Sequence, residues 1–337
     1  MRLVEVCNVN DAYAEMINDA LSPDRGQRWR KIAPRANLLT LEYHEPVTTV
    51  YKYPYERVLF NAIRDANPFF QLFEAIWLLQ GRNDVKWISQ FTSNIERYSD
   101  DGLTFHGGYG ERWRRSRIDR DGMMTQDQIE GVIRHLQTRP DSRRAVIAMW
   151  DPALDLNSGS VDLPCNTHIY FKVRNDALDM MVCCRSNDAI WGAYGTNAVQ
   201  FSILQEYIAA HLDYGIGWYR QVSDSFHIYT DNPTWKKHEQ IGKVAANNFY
   251  RKSYAHFPLI ESVTTFDQEM FVWFFDDWFE HVYEEPFFTF VLNPMRRAWQ
   301  LYKKKAEFYD VVKELDMIIP RDWREATINW MRRRYNR

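Results

Sequence analysis

The chain has 337 residues, 45% hydrophobic and 26% charged, with 42 Lys and Arg against 45 Asp and Glu for a net charge of −3. That is the composition of a globular protein in water; the near-balanced charge excludes a general electrostatic pull toward nucleic acid or anionic membrane, and no apolar run is long enough to span a bilayer. The four cysteines, Cys7, Cys165, Cys183 and Cys184, show neither zinc spacing nor a C-x-x-C pair, and the start MRLVEVCNVNDAYAEM has no signal-peptide core, so a reducing, cytoplasmic setting without a metal is expected.

No repeat, low-complexity tract or Gly/Ser linker divides the chain, and one domain over 1–337 is expected. Residues 67–80, NPFFQLFEAIWLLQ, predict a helix whose apolar stripe carries Phe70, Phe73, Trp77 and Leu78, ended by GRND. A second helix is predicted over 123–137, then a turn at TRPDS and a buried strand at RRAVIAMW (143–150). In LPCNTHIYFKV (163–173), alternation after Thr167 predicts a half-buried strand, with Cys165 held at its mouth behind Pro164. HIYFKV, RNDA and LDMMVCC predict a β-hairpin, in which adjacent Cys183 and Cys184 point to opposite faces. TNAVQFSILQEYIAAHL (196–212) predicts an amphipathic helix, SFHIY (225–229) a short strand, and TDNPTWKKHEQIGKVA a capped helix start. The tail from about 294 is predicted helical and ends in WMRRRYNR. Long helices around a group of strands make an α+β protein.

Polar groups gather at the ends of these elements. Arg185 and Ser186 in RSND could hold an oxyanion, and Arg143 and Arg144 in SRR could add to it. His227 and Tyr229 alternate on one strand face, a geometry suited to sugar hydroxyls. Asn197 at a helix start is ordinarily a cap, yet its amide can read a base edge. Glu74 lies inside an apolar helix stripe, where a carboxyl needs a partner or a function. Each motif alone has an ordinary structural explanation: a surface turn, a core pair, a cap, a small buried thiol.

As an ordered set, FEAIWLLQGRND, YGERWR, DSRRAVIAMW, DLPCNTHIYF, CRSNDAIWGAYGTN and DSFHIYTDN resemble the thymidylate synthase superfamily, over about residues 33–235, with a helical extension over about 294–337. The resemblance implies a mixed sheet used at a homodimer interface, a pyrimidine deoxynucleotide as substrate and 5,10-methylenetetrahydrofolate as one-carbon donor. It implies that Cys165 adds as thiolate to C6 of the base, with Arg185 favouring the thiolate. Arg35 (or its rival Arg25), Arg185, Ser186, and Arg143 and Arg144 from the partner subunit would hold the phosphate. Glu74 would organise proton transfer, Tyr109 would help remove the C5 proton, and Asp188, Trp191 and Gly192 would contact the folate. Asn197 would pair with the base, His227 and Tyr229 with the 3′-hydroxyl.

The chain departs from the methylating pattern in four places. Asn166 follows the cysteine where those enzymes have histidine, which adds it to the catalytic candidates. GAYGTN carries one extra residue before Asn197. Ile95 stands where a tryptophan is expected, and WMRRRYNR replaces an apolar closing tail. Methylation must exclude water from the transferred carbon, so a missing wall and tail point to hydroxymethylation. Asn197 points to uridylate where an aspartate would suit cytidylate. The expected reaction is therefore hydroxymethylation of dUMP. Its alternatives are thymidylate formation, (d)CMP hydroxymethylation and, from another class, a nucleic-acid-binding regulator using the basic, aromatic tail.

Overall fold

The computed structural model describes residues 1–35, 38–114, 127–251, 254–274 and 281–336. Its elements run β1 (Arg2–Val6), α1 (Val9–Leu21), β2 (Trp29–Arg35), β3 (Leu38–Tyr43), β4 (Val47–Tyr51), α2 (Pro68–Leu79), α3 (Val85–Ile88), α4 (Tyr109–Arg114), α5 (Gln128–Thr138), β5 (Val146–Ala148) and α6 (Pro152–Asp155). They continue with β6 (Asn166–Arg174), β7 (Ala177–Asp188), α7 (Asn197–Leu212), β8 (Gly215–Tyr229), α8 (Pro233–Ile241), α9 (Val263–Val272), α10 (Asn293–Lys303), α11 (Phe308–Leu315) and α12 (Arg321–Tyr335). The strands form one mixed sheet in the order β1-β4-β8-β7-β6-β5, with β3 pairing the end of β8 and β2 pairing β3. Pairs β1–β4 and β7–β8 are parallel, the others antiparallel.

Local chemistry explains the elements that place the site. α2 starts where NPFF requires: Asn67 Oδ1 accepts from the Phe69 and Phe70 amides, and Pro68 occupies the first turn. The β6–β7 hairpin turns at Asn175 and Asp176, both left-handed at φ 50° and 56°, as a two-residue hairpin loop demands. α8 is capped by Asn232 and stopped by Gly242 at φ 74°.

Several predicted elements change. The strand at 143–150 shrinks to β5, an edge strand in which Ile147 is buried and its neighbours only half so. Arg143 and Arg144 stay exposed ahead of it. SFHIY is only the end of β8, whose 15 residues begin at Gly215; its Gly, Arg and Gln residues hide the alternation. α7 is not amphipathic. It is buried on nearly every side, because the sheet lies against one flank and α2, α5 and the turn before it against others. The helix predicted over 123–137 is observed from Gln128; residues 123–126 lie outside the described ones. The N-terminal strands and α1 were not legible as elements.

One face of the sheet is covered by α7, where Gln205 Nε2 donates to Leu178 O at 2.7 Å and Gly217 O at 3.1 Å. On the other face the cross-strand row Tyr170, Met181, Arg220 and the row His168, Cys183, Val222 remain half-exposed or exposed. The C-terminal helices pack on α2: the Trp330 ring lies 5.7 Å from Phe69 and 5.8 Å from Trp299. Arg333 and Arg334 both bind Asp65, at 2.8 and 2.7 Å. Among the described residues no helix is long and apolar enough to cross a membrane.

Candidate active site

Cys165 sits half-buried one residue ahead of β6, as its motif predicts. Arg185, near the end of β7, holds its loop: Nε donates to Pro164 O at 2.9 Å, and Nη2 donates to Leu163 O at 3.1 Å and lies 3.9 Å from Cys165 Sγ. The Arg185 guanidinium also lies over Trp150 at 5.5 Å, so it is supported from both sides while its charge faces the thiol. Tyr109, the first residue of α4, reaches the same loop. Its Oη accepts from the amides of Cys165 at 3.2 Å and Asn166 at 3.1 Å and from Asn166 Nδ2 at 2.9 Å. Burial, with Cys165 beside it, holds the Tyr109 phenol well above its usual pKa, so it is neutral. Asn166 is fully buried and its Oδ1 has no protein partner. Three N–H groups converge on an oxygen with two lone pairs. With the Asn166 amide turned over, Oδ1 could accept the phenolic proton, which leaves two N–H donors for the two lone pairs of the Tyr109 oxygen.

The loop bearing Tyr109 is itself anchored. Asp155 receives Arg112 through both oxygens, at 3.2 and 2.8 Å, and His106 Nε2 lies 2.9 Å from its Oδ1. Gly107 donates to Asp162 at 2.9 Å and has no room for a side chain, since a Cβ would stand 3.0 Å from Pro164 N. None of these anchors was singled out from the sequence; Asp155 and His106 carry no spacing signal, and only the folded loops bring them together.

Glu74 projects from α2, and Gln200 Nε2 on α7 donates to its Oε2 at 2.6 Å. Burial pushes its carboxyl up to about 8 against that bond. Asp188 ends β7 and accepts from the Ile190 and Trp191 amides at 3.2 and 3.0 Å. Burial raises its pKa, with His227 opposing. β7 and β8 pair Asp188 with His227, and the His227 ring meets Tyr229 edge-on at 5.0 Å. Residues Ala189–Thr196 form a π-helical turn. Such a turn holds one residue more than an α-turn, so the extra residue of GAYGTN is absorbed before α7 and Asn197 still opens that helix. Asn197 is not a cap; its Nδ2 donates to Asn187 Oδ1 at 3.2 Å.

The structure therefore brings Cys165, Arg185, Tyr109 and Asn166 into one hydrogen-bonded cluster. Asp188, His227 and Tyr229 share adjoining strand ends, and Ser186 pairs with Ser225 across the same strands. Arg143 and Arg144 make no hydrogen bond to the Cys165 cluster within the chain. The Arg35 side chain lies outside the described residues. Arg25 is tied to Glu239 at 3.3 Å and to Ala20 O at 3.2 Å. Ile95 lies half-buried against the core.

Beyond Asp188 a cleft of about 390 Å³ opens between α2, Trp191 and the C-terminal helices. Phe70, Trp191, Trp299 and Trp330 supply aromatic walls, Arg64 and Lys303 cationic groups, and Arg334 is paired with Asp65 on the same wall. Arg64, which the sequence did not single out, lies over Trp191 at 5.1 Å and donates to Ile190 O at 2.7 Å. The aromatic walls suit a flat ring system. In the tail WMRRRYNR, Trp330 lines this cleft and Arg333 and Arg334 are paired with Asp65, so this stretch packs against the rest of the chain as the end of α12.

A profile of the thymidylate synthase family matches residues 62–248, and the chain belongs to that family. It is similar to a deoxyuridylate hydroxymethyltransferase of Pseudomonas phage M6, 39% identical over 99% of this chain and 95% of that protein. A deoxyuridylate hydroxymethyltransferase of Bacillus phage SP01 is 38% identical over 68% of this chain and 58% of its own length. A thymidylate synthase of Francisella philomiragia is 28% identical over 56% of this chain and 78% of its own.

Proposed function

We propose that the chain transfers a one-carbon unit to C5 of dUMP and releases 5-hydroxymethyl-dUMP. The observation that carries the chemistry is the thiol of Cys165 held at a strand mouth with a guanidinium 3.9 Å from its sulfur. An adjacent cation lowers a thiol's pKa and raises the thiolate fraction. The thiolate adds to C6, and the electron pair released onto C5 and O4 makes C5 a nucleophile. 5,10-Methylenetetrahydrofolate, for which Asp188, Gly192, Trp191 and Arg64 form the proposed binding edge, supplies the carbon; the C5 proton and tetrahydrofolate then leave, water adds to the resulting exocyclic methylene, and the Cys165 thiolate is released.

The other residues handle protons and position. Glu74, carrying its proton near neutral pH, serves as general acid toward O4 and its water. Tyr109, neutral and fixed by the Cys165 loop, assists loss of the C5 proton, and Asn166 beside it fills the place of the usual histidine. Arg185 and Ser186, with Arg35 and a partner subunit's arginine pair, Arg143 and Arg144, bind the phosphate. His227 and Tyr229 take the 3′-hydroxyl. The half-exposed sheet face bearing Tyr170, Met181 and Val222 is the surface on which two copies associate, in line with the family's usual dimer.

The product is supported by near full-length similarity to a phage deoxyuridylate hydroxymethyltransferase. One observation favours reductive methylation instead: α10 and α12 wall the cleft at Trp191, and a walled cleft keeps water out. Mass spectrometry of the product from dUMP and methylenetetrahydrofolate separates the two. A hydroxymethyl gain without tetrahydrofolate oxidation is expected; a methyl gain in step with dihydrofolate overturns the proposal.

A further inference from the structure

The RSND motif has a residue that neither the chemistry above nor the family resemblance uses. Asn187 lies between Ser186 and Asp188 on β7 and is 2% exposed. Its Nδ2 donates to Gln221 Oε1 and to Ser223 Oγ on β8, each at 2.9 Å. Its Oδ1 accepts from Asn197 Nδ2 at 3.2 Å. Gln221, 1% exposed, in turn donates Nε2 to Tyr219 Oη at 2.8 Å. Tyr219, Gln221, Asn187 and Asn197 thus form a buried relay with one direction. A primary amide has a donor end and an acceptor end, so the orientation of each member sets that of the next.

Gly192 indicates which direction holds. A Cβ there would stand 2.8 Å from Asn187 Oδ1 and 3.5 Å from Asn197 Nδ2. The glycine hydrogen on that side faces the amide of Asn187. An oxygen is compatible with a Cα–H, whereas an NH₂ group would press hydrogen against hydrogen. The carbonyl end therefore belongs where it is, and Asn197 is held with Nδ2 toward Asn187. One Nδ2 hydrogen and Oδ1 remain for a ligand. That pair is complementary to the N3–H and O4 of uracil. Cytosine offers a bare N3 and an amino group, which match only the reversed relay.

We infer that Asn187 is a positioning residue that fixes the amide direction of Asn197 and so sets the preference for a uracil over a cytosine nucleotide. The inference rests on the proposal that Asn197 meets the base. Because the relay is buried, no solvent compensates a mismatched end, and the wrong base leaves a donor facing a donor.

The test compares wild type with Asn187→Ala, Asn187→Ser and Asn187→Asp. Binding of dUMP and dCMP is measured by calorimetry, and C5 exchange by tritium release from 5-tritiated dUMP and dCMP. Both readouts are independent of whether the carbon ends as hydroxymethyl or methyl. Alanine and the milder serine are expected to narrow the dUMP-over-dCMP ratio by about tenfold or more, the scale of one bidentate base contact. Aspartate, which keeps an oxygen toward Asn197 whether ionised or protonated, is expected to restore the wild-type ratio. A wild-type ratio surviving in alanine and serine, or lost equally in aspartate, overturns the relay. A wild-type enzyme that itself prefers dCMP overturns the base assignment of Asn197, and the relay's direction with it.

Discussion

Replacing Glu74 with glutamine separates the stability of the buried carboxyl from its chemistry. Gln200 Nε2 donates to Glu74 Oε2 at 2.6 Å, and an amide oxygen at the same place can still accept, so the substitution keeps the packing and the bond. Burial holds the folded carboxyl at about 8, against 4.5 for the free group. Between those values the native state binds one proton more than the unfolded chain, so wild-type stability falls as pH rises through the window. Each pKa unit is worth about 1.4 kcal/mol, which makes the loss between pH 5 and pH 9 on the order of 4 kcal/mol. Glutamine does not ionise. The variant is therefore expected to gain on wild type by about that amount over the window, while its turnover falls by about 10²- to 10⁴-fold for want of the acid. Urea unfolding of both proteins at pH 5, 7 and 9 reads the first effect, and tritium release from C5 the second. A stability gap that is the same at pH 5 and pH 9 would refute the reasoning, since it would mean Glu74 ionises in the fold as it does in water.

Cys165→Ala is expected to abolish tritium release by about 10⁴-fold or more, the scale of a lost covalent nucleophile, while dUMP still binds by calorimetry; exchange near the wild-type rate would rule out the thiol. Tyr109→Phe strands the amides of Cys165 and Asn166 that converge on its oxygen, so denaturant unfolding should show a loss of about 1–3 kcal/mol for each amide left unpaired. Arg57 and His256 hold the buried Glu206 carboxyl down at about 2. That stability is present above pH 4.5 and is lost as pH falls toward 2, and Arg57→Met should cost about 3–5 kcal/mol at neutral pH by leaving the carboxylate without its arginine. Trp330→Ala removes the ring packed on Phe69 and Trp299; a loss of about 3–5 kcal/mol in unfolding is expected, with weaker folate binding by fluorescence quenching.

The parts of the site that were legible share a reason. α2 begins at its Asn-Pro pair and carries Glu74 inside an apolar stripe, so both the element and the odd residue stand out in one window. The β6–β7 hairpin shows its two strands and its left-handed Asn-Asp turn within 23 residues, and Cys165 falls at its mouth. β8 was read only at its end, because a strand fed by partners on both sides tolerates Gly, Arg and Gln that a single-strand pattern rejects. α7 was read as amphipathic because its apolar residues recur at helical spacing, yet Gln200, Gln205 and Glu206 are buried with them, each serving a distant backbone or side chain.

Residue order and type determined that a cysteine, a paired set of arginines, a buried acid and a base-reading amide occur in one sequence order, and hence the chemistry the chain is equipped for. They determined it because nucleophile, charge and hydrogen-bonding capacity are properties of the side chains themselves. Only the tertiary structure decided how those groups are held. It set Arg185 against the Cys165 loop, hung that loop on Tyr109, and spent Arg333 and Arg334 on Asp65. It also drew Asn187, Gln221 and Asn197 into a single buried relay. Such contacts join residues up to 269 positions apart, and their strength comes from the water that folding removes around them.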